Sequence, residues 1–368
     1  MADQRKILIM QAHNLGDAVI STALVETIGR GLPGARIDVV TRPEIKTIFA
    51  HHPFVDRVFT ARFPMGSMHD FGPKDALALT RLIAGLRRQR YTDVVNLAGD
   101  FREEMLGYLL SPEHNWTPQW SQDHPCSHVI RRSVVRLANR PVCIPRDKPN
   151  IYEAASILGT AVGGVSAEKS ALYTPAKRRI VWAPVKRTVG IHPMASQPWR
   201  RWELDRWRHL AQILILRDMD IRIFGAPSEL DRLREGFASC EQSRLRIVTG
   251  SLSDYFSEVS KVQVLLCHDS FASHVAYALG VPIIFLNGAN DAEAWAPPGS
   301  VIFGAGPGLA CYPCYNRPTC IGKSKQFACI GDIEVDQVVE AVWEALKEPS
   351  LDRPNFPGWH STGGTLIH

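Results

Sequence analysis

The stretch VQVLLCHDSFASHVAYALGVPIIFLNG, Val262 to Gly288, decides the fold. It opens on a run of apolar residues that ends at the polar pair Asp269-Ser270. Phe271 to Leu279 then follows helical spacing, and VPIIFLNG is a second apolar run. Apolar runs without polar alternation suit strands covered on both faces, as in a parallel sheet. Strand, helix and strand in this order make a βαβ unit.

The same alternation extends outward through the C-terminal half. TVGIHP reads as a strand, Glu203 to Arg217 as an amphipathic helix and DIRIFGAP as a strand. Pro227 to Ala238 predicts a helix, RIVTG a strand, Asp254 to Ser260 a short helix, and Ile333 to Leu346 a last helix. The N-terminal half repeats the pattern. KILIMQAHNLGDAVIST gives a strand, a turn at Gly16 and a helix starting near Asp17. ARIDVV, DRVFTA and TDVVNLAGD supply further strands, with helices over Lys74 to Arg90 and Arg102 to Leu110. Residues 111–150 are rich in Pro, His, Trp and Ser and read as surface loop with one short strand, before a helix over Asn150 to Thr160. The expected class is α/β with doubly wound sheets, in two domains, 1–180 and 181–368. Two such halves place a cleft at the C-terminal ends of the strands, where α/β folds bind ligands.

Composition narrows the partners. Hydrophobic residues at 45% and charged residues at 21% describe an ordinary globular chain. The net charge of +5 suits an anionic small molecule or a weak peripheral membrane contact, but no Lys/Arg block marks a nucleic-acid surface. No apolar run reaches the roughly 18 residues of a membrane span, and Ile7 to Met10 is too short for a signal-peptide core. The expected compartment is the cytoplasm, where eight cysteines are thiols or metal ligands.

Five clusters can carry chemistry. Asp17, at the first strand-to-helix turn, is either a helix-capping acid or a general base. Arg200 and Arg201, near Ser196 and a helix start, are a diphosphate clamp or a solvated basic loop beside packing tryptophans. Glu229 sits where a carboxylate meets ribose hydroxyls, and equally where it complements a helix dipole. Asp269, Ser270 and His274 gather at one strand end; no G-x-S-x-G elbow surrounds Ser270, so a hydrolase triad is excluded. Cys311, Cys314, Cys320 and Cys329 offer four thiolates for structural zinc or iron. Asp218-Met219-Asp220 matches a metal-binding D-x-D string but lies where a turn is expected, and is read as structural. No G-x-G-x-x-G follows any expected strand, which argues against a dinucleotide dehydrogenase.

Taken together these stretches resemble glycosyltransferase family 9, the heptosyltransferases of lipopolysaccharide core assembly. The resemblance is carried by LGDAVISTALVETIGRGLPGARIDVV, YTDVVNLAGDFR, GIHPMASQPWRRWELDRW, FGAPSE, VLLCHDSFASHVAYALGVPIIFLNGAND and the cysteine segment. It implies a GT-B architecture, inverting transfer without a catalytic metal or other cofactor, an ADP-linked sugar donor, and a glycan, glycolipid or other hydroxyl acceptor. By position it makes Asp17 the catalytic base and Arg200 the diphosphate ligand in place of the family's lysine. Glu229 becomes the nucleoside contact, and Asp269, Ser270 and His274 the donor motif. The N-terminal domain then takes the acceptor, near His13 and Arg102, and the C-terminal domain the nucleotide sugar, with Ser196 beside it. Some relatives bind iron or zinc on the matching cysteines. Phe271 and Met194 stand where the family has glycines, which bears on the identity of the sugar. The rival expectations are a nucleotide-sugar epimerase and a non-catalytic nucleotide-sugar or glycan binding protein on the same fold.

Overall fold

The structure, a computed structural model, describes residues 4–64, 71–120, 137–145, 147, 150–166, 169–304, 309, 311–315 and 317–347. The chain divides into two compact units, Met1–Arg179 and Ile180–His368. Among the described residues no helix is long and apolar enough to cross a membrane.

The first unit runs β1 (Lys6–Gln11), α1 (Leu15–Gly31), β2 (Arg36–Thr41), α2 (Lys46–Ala50), β3 (Arg57–Thr60), α3 (Pro73–Arg87), β4 (Asp93–Asn96), α4 (Phe101–Leu110), β5 (His114–Trp120), β6 (Arg140–Ile144) and α5 (Ile151–Ala161). Its strands pair in parallel in the order β3-β2-β1-β4-β5-β6. The second unit runs β7 (Thr188–His192), α6 (Leu204–Leu216), β8 (Asp220–Phe224), α7 (Leu230–Gly236), β9 (Leu245–Val248), α8 (Leu252–Val259), β10 (Val264–His268), α9 (Phe271–Leu279), β11 (Ile283–Asn287), α10 (Ala292–Trp295), β12 (Val301–Gly304), α11 (Ala328–Gly331) and α12 (Val335–Lys347). Its order, β12-β11-β10-β7-β8-β9, is the same topology again, and every pair is parallel.

The central strands carry the apolar runs. Ile7 to Ile9 of β1 and Val264 to Cys267 of β10 are fully buried, as a strand flanked on both sides by helices must be. Each large apolar side chain so buried contributes about 1.5–3 kcal/mol. In each sheet the chain reverses its direction of winding once, between β1 and β4 and between β7 and β10. The loops that leave these neighbouring strands part there, and the crevice beyond their carboxyl ends is the ligand-binding position of such sheets.

Three expectations change. The Pro- and Trp-rich stretch after residue 111 holds two strands, β5 and β6, one of them at the sheet edge where Pro141 is tolerated; residues 121–136 of that stretch lie outside the described residues. Gly16 lies inside α1, so the first turn is made by Ala12 to Asn14. The helix expected over Pro227 to Ala238 is a 3-10 turn at Pro227–Glu229 followed by α7.

A buried acid fastens α1 to the end of the first unit. Glu26 is 1% exposed; Tyr173 donates its hydroxyl to Oε1, Arg30 donates to Oε2 at 3.0 Å, and His52 Nε2 lies 3.3 Å from Oε1. Burial pushes its pKa up, but these three partners outweigh it and leave the carboxyl at about 2, against an ordinary value of 4.5. A carboxyl depressed in the folded state stabilises fully above its unfolded pKa and loses that contribution as pH falls through the folded value. Glu26→Gln should therefore cost about 2–3 kcal/mol at neutral pH. Denaturant unfolding across pH should show this gap shrinking below pH 4.5 towards 2; a gap independent of pH would remove Glu26 from this role.

Candidate active site

At the β1/β4 switch point, Asp17 sits partly buried in the first turn of α1, and its Oδ2 accepts the Asn14 backbone N–H at 3.0 Å. The capping role is thus present in the structure, and it occupies one carboxylate oxygen. Arg102 lies at the start of α4, where Nε and Nη2 grip Asp100 at 2.8 and 2.9 Å and Nη1 donates to the Pro64 carbonyl at 3.1 Å. Burial raises the Asp100 carboxyl, and Arg102 more than reverses this, holding it below the usual range. His13 Nε2 stands 3.7 Å from Oε1 of Glu103, a fully buried acid on α4. The structure brings Asp17, His13 and Arg102 to one strand edge.

The β7/β10 switch point gathers a second set. Arg200, 15% exposed at its side chain, directs Nη1 to Asp269 Oδ2 at 3.3 Å and Nη2 to Asn290 Oδ1 at 3.1 Å. Asn290 in turn donates Nδ2 to the same Asp269 oxygen. One carboxylate and one amide therefore orient a guanidinium at the end of β10. Ser270 follows directly as the residue before α9, and its buried Oγ has no hydrogen-bond partner among the described residues. A hydroxyl at a helix N-terminus beside a fixed arginine suits phosphate oxygens.

His268 builds the Arg200 loop. Its Nε2 accepts the Trp202 backbone N–H at 2.8 Å, and Trp202 Nε1 donates to the Ile333 carbonyl at 3.2 Å. Trp202 and His268 both meet the edge or face of Trp207, with centroids at 5.0 and 5.3 Å. Burial, with His192 nearby, lowers the His268 imidazole to about 3, so it stays a neutral acceptor. Sequence spacing pointed to neither His268 nor Asn290, because both act on residues more than sixty positions away.

Other expected residues take local roles. Arg201 is not part of a two-arginine clamp: Nε and Nη2 donate to the carbonyls of Ala195 and Ser196 at 2.6 and 3.3 Å, bracing their own loop. Ser196 is exposed on that loop. Glu229 Oε2 accepts the Ala226 N–H at 2.8 Å, so this acid caps its own turn. His274 is buried within α9, 5% exposed. The Phe271 ring turns onto α8, 5.3 Å from Tyr255 and 6.3 Å from Phe256. Met194 joins the core. Asp218 adopts a left-handed turn conformation, φ 66°, and pairs with Arg187 and Arg244, as a structural turn acid does.

The cysteine segment is stitched to this site. The N–H groups of Cys314 and Tyr315 donate to the Ala289 carbonyl at 3.0 and 2.8 Å, and the Tyr315 carbonyl accepts Trp199 Nε1 at 3.1 Å. Cys311, Cys314, Cys320 and Cys329 are all free thiols. Burial pushes Cys329 up to about 12, and the other three thiols add to the shift, so the four lie within electrostatic reach of one another. Among the described residues, no group of three or more His, Cys, Asp or Glu is arranged to hold a metal ion.

Two six-stranded parallel sheets of this order, each with polar side chains at its switch point, are the architecture of the GT-B fold. The family description "Glycosyltransferase family 9 (heptosyltransferase)" matches residues 79–325. The chain belongs to glycosyltransferase family 9 and is a glycosyltransferase. It is similar to lipopolysaccharide heptosyltransferase 3 of Escherichia coli, 24% identical over 296 residues that cover 77% of this chain and 83% of that one. Its fold is that of an E. coli heptosyltransferase solved with ADP, at TM-score 0.69 and 17% identity over 92% of this chain and 99% of that one. An iron-containing dodecameric glycosyltransferase of enterotoxigenic E. coli matches at TM-score 0.53 and 12% identity, over 94% of this chain and 77% of that one.

The His268 strut is directly testable. His268→Leu leaves the buried Trp202 N–H without an acceptor and should cost about 1–3 kcal/mol in denaturant unfolding. Unchanged stability would show that the Arg200 loop is held by other contacts.

Proposed function

We propose that this protein transfers a heptose or similar sugar from an ADP-linked donor to a hydroxyl of a glycan or glycolipid, as in lipopolysaccharide core assembly, by a single inverting displacement without a catalytic metal. The observation that carries this reading is the Arg200–Asp269–Asn290 arrangement beside the Ser270 hydroxyl, in a chain of family 9. The E. coli relative solved with ADP supports the nucleotide, and the dodecameric relative is also solved with ADP-D-β-D-heptose.

In this reading the donor diphosphate lies on Arg200, the Ser270 hydroxyl and the free amides at the start of α9. Asp269 and Asn290 hold the guanidinium in place. Glu229 serves the nucleoside, and Ser196 and His274 flank the donor. His13 and Arg102 serve the acceptor. Asp17 takes the acceptor hydroxyl proton as that oxygen bonds to the anomeric carbon. The bond from that carbon to the diphosphate breaks on the opposite face, and ADP leaves with the electron pair. Negative charge grows on the departing phosphate, so Arg200 stabilises the transition state more than the ground state. Asp17 keeps a second oxygen for the proton while Oδ2 caps the turn.

The N-terminal unit, 1–180, is assigned to the acceptor and the C-terminal unit, 181–368, to the nucleotide sugar. A structural zinc or iron on Cys311, Cys314, Cys320 and Cys329 belongs to the same reading. Four thiols in mutual electrostatic reach are a donor set either metal accepts, although their present spacing is not that of a ligand shell. The group would crosslink the cysteine segment and take no part in the transfer. We place the enzyme in the cytoplasm, with a peripheral membrane contact where the acceptor is a glycolipid.

Asp17→Asn should lower kcat by about 10²–10⁴-fold while ADP affinity, read by calorimetry, is kept. Arg200→Ala should weaken ADP binding and turnover together. Full turnover in a folded Asp17→Asn enzyme, or wild-type ADP affinity after Arg200→Ala, would contradict the assignment.

A further inference from the structure

The β1/β4 switch point holds a buried carboxyl that the reading above leaves without a role. Glu103, in the first turn of α4, is fully buried. Its Oε1 accepts the Ala12 backbone N–H at 2.8 Å and lies 3.7 Å from His13 Nε2. Glu103 Oε2 and His13 Nε2 are buried atoms with no hydrogen-bond partner among the described residues.

A buried carboxylate with a single amide donor is costly, and such a group persists where a cation or a proton compensates it. The charged groups that face Glu103 are His13 from the turn after β1, Asp17 from the first turn of α1, and Asp100 and Arg102 from the start of α4. Arg102 spends its donors on Asp100 and the Pro64 carbonyl. Asp17 and Asp100 are acids and disfavour another negative charge. His13 remains as the group that can share a proton with Glu103. Burial raises the Glu103 pKa, in the direction that favours holding such a proton. A latch for the Ala12 N–H alone would need only a neutral acceptor.

The turn links this pair to Asp17. Ala12, His13 and Asn14 are consecutive: the first gives its N–H to Glu103, and the last gives its N–H to Asp17 Oδ2. Two carboxyls therefore hold the two ends of one three-residue turn. We propose that Glu103 is a positioning residue for transfer, sharing a proton with His13 so that the turn keeps Asp17 oriented towards the acceptor. The inference rests on Asp17 being the base. When Asp17 takes the acceptor proton its grip on Asn14 weakens, and the Glu103–His13 pair keeps the turn in place.

The test uses the full chain. Glu103→Gln keeps the side-chain size and an acceptor for Ala12, but cannot share a proton. It should keep ADP affinity within about twofold, lower kcat by about 10–100-fold, and flatten one limb of the pH dependence of kcat. His13→Asn should do the same, and the double variant should be no slower than the slower single one, because the two act as a unit. A Glu103→Gln enzyme with wild-type kcat and pH profile, or losses that multiply in the double variant, would overturn the proposal. Should Glu103→Gln fail to fold, the pH profile of His13→Asn decides alone: an unchanged profile refutes the pair. Full activity in Asp17→Asn removes the base assignment and this inference with it. An inactive Asp17→Asn beside a wild-type Glu103→Gln removes only the inference.

Discussion

A parallel strand cannot turn back onto its neighbour; the chain must cross over the sheet and start again from the same end. In both sheets of this protein that constraint sends the functional loops to one edge, and the order β3-β2-β1-β4 or β9-β8-β7-β10 opens that edge at one place. The site residues follow from it. Asp17, His13, Arg102 and Glu103 leave the carboxyl ends of β1 and β4, while Arg200, Asp269 and Ser270 leave those of β7 and β10. The candidate site residues lie where two loops diverge, and the rest of each sheet is the frame that holds those loops.

What the loops after β7 and β10 hold is a preorganised positive charge. Arg200 is fixed by a carboxylate and an amide, and its backbone neighbourhood is fixed by Trp202 on the neutral imidazole of His268. In the proposed transfer, a guanidinium oriented before the donor arrives would not need to reorganise as charge develops on the departing phosphate. The Ala289 carbonyl, beside Asn290, receives two amides from the cysteine segment. The thiol-rich stretch is thereby part of the support under the loop that carries Asn290.

Much of this was legible in the residues. Continuous apolar runs gave the central strands, and polar residues at their ends marked the switch points. The order of the motifs pointed to the family. Other parts were hidden for physical reasons. Pro118 and Pro141 obscure β5 and β6, since proline signals a break although strand ends and edges tolerate it. Nothing in the sequence singles out Glu103, because burial against another strand's loop leaves no local trace. His268 and Asn290 act across long chain separations, and the packing of the Phe271 ring on α8 is a tertiary contact that spacing does not show. The pairing of Arg201 with its own loop carbonyls was equally invisible to spacing.

The central claim is that a diphosphate-linked sugar is moved to an acceptor hydroxyl. Incubation of the purified protein with ADP-heptose and a lipopolysaccharide core oligosaccharide, followed by mass spectrometry and proton NMR of the products, tests it most directly. One added heptose on the oligosaccharide, an equal amount of ADP, and an anomeric configuration opposite to that of the donor are expected. Donor recovered intact while bound, donor altered without any acceptor, or a product of retained configuration would contradict it.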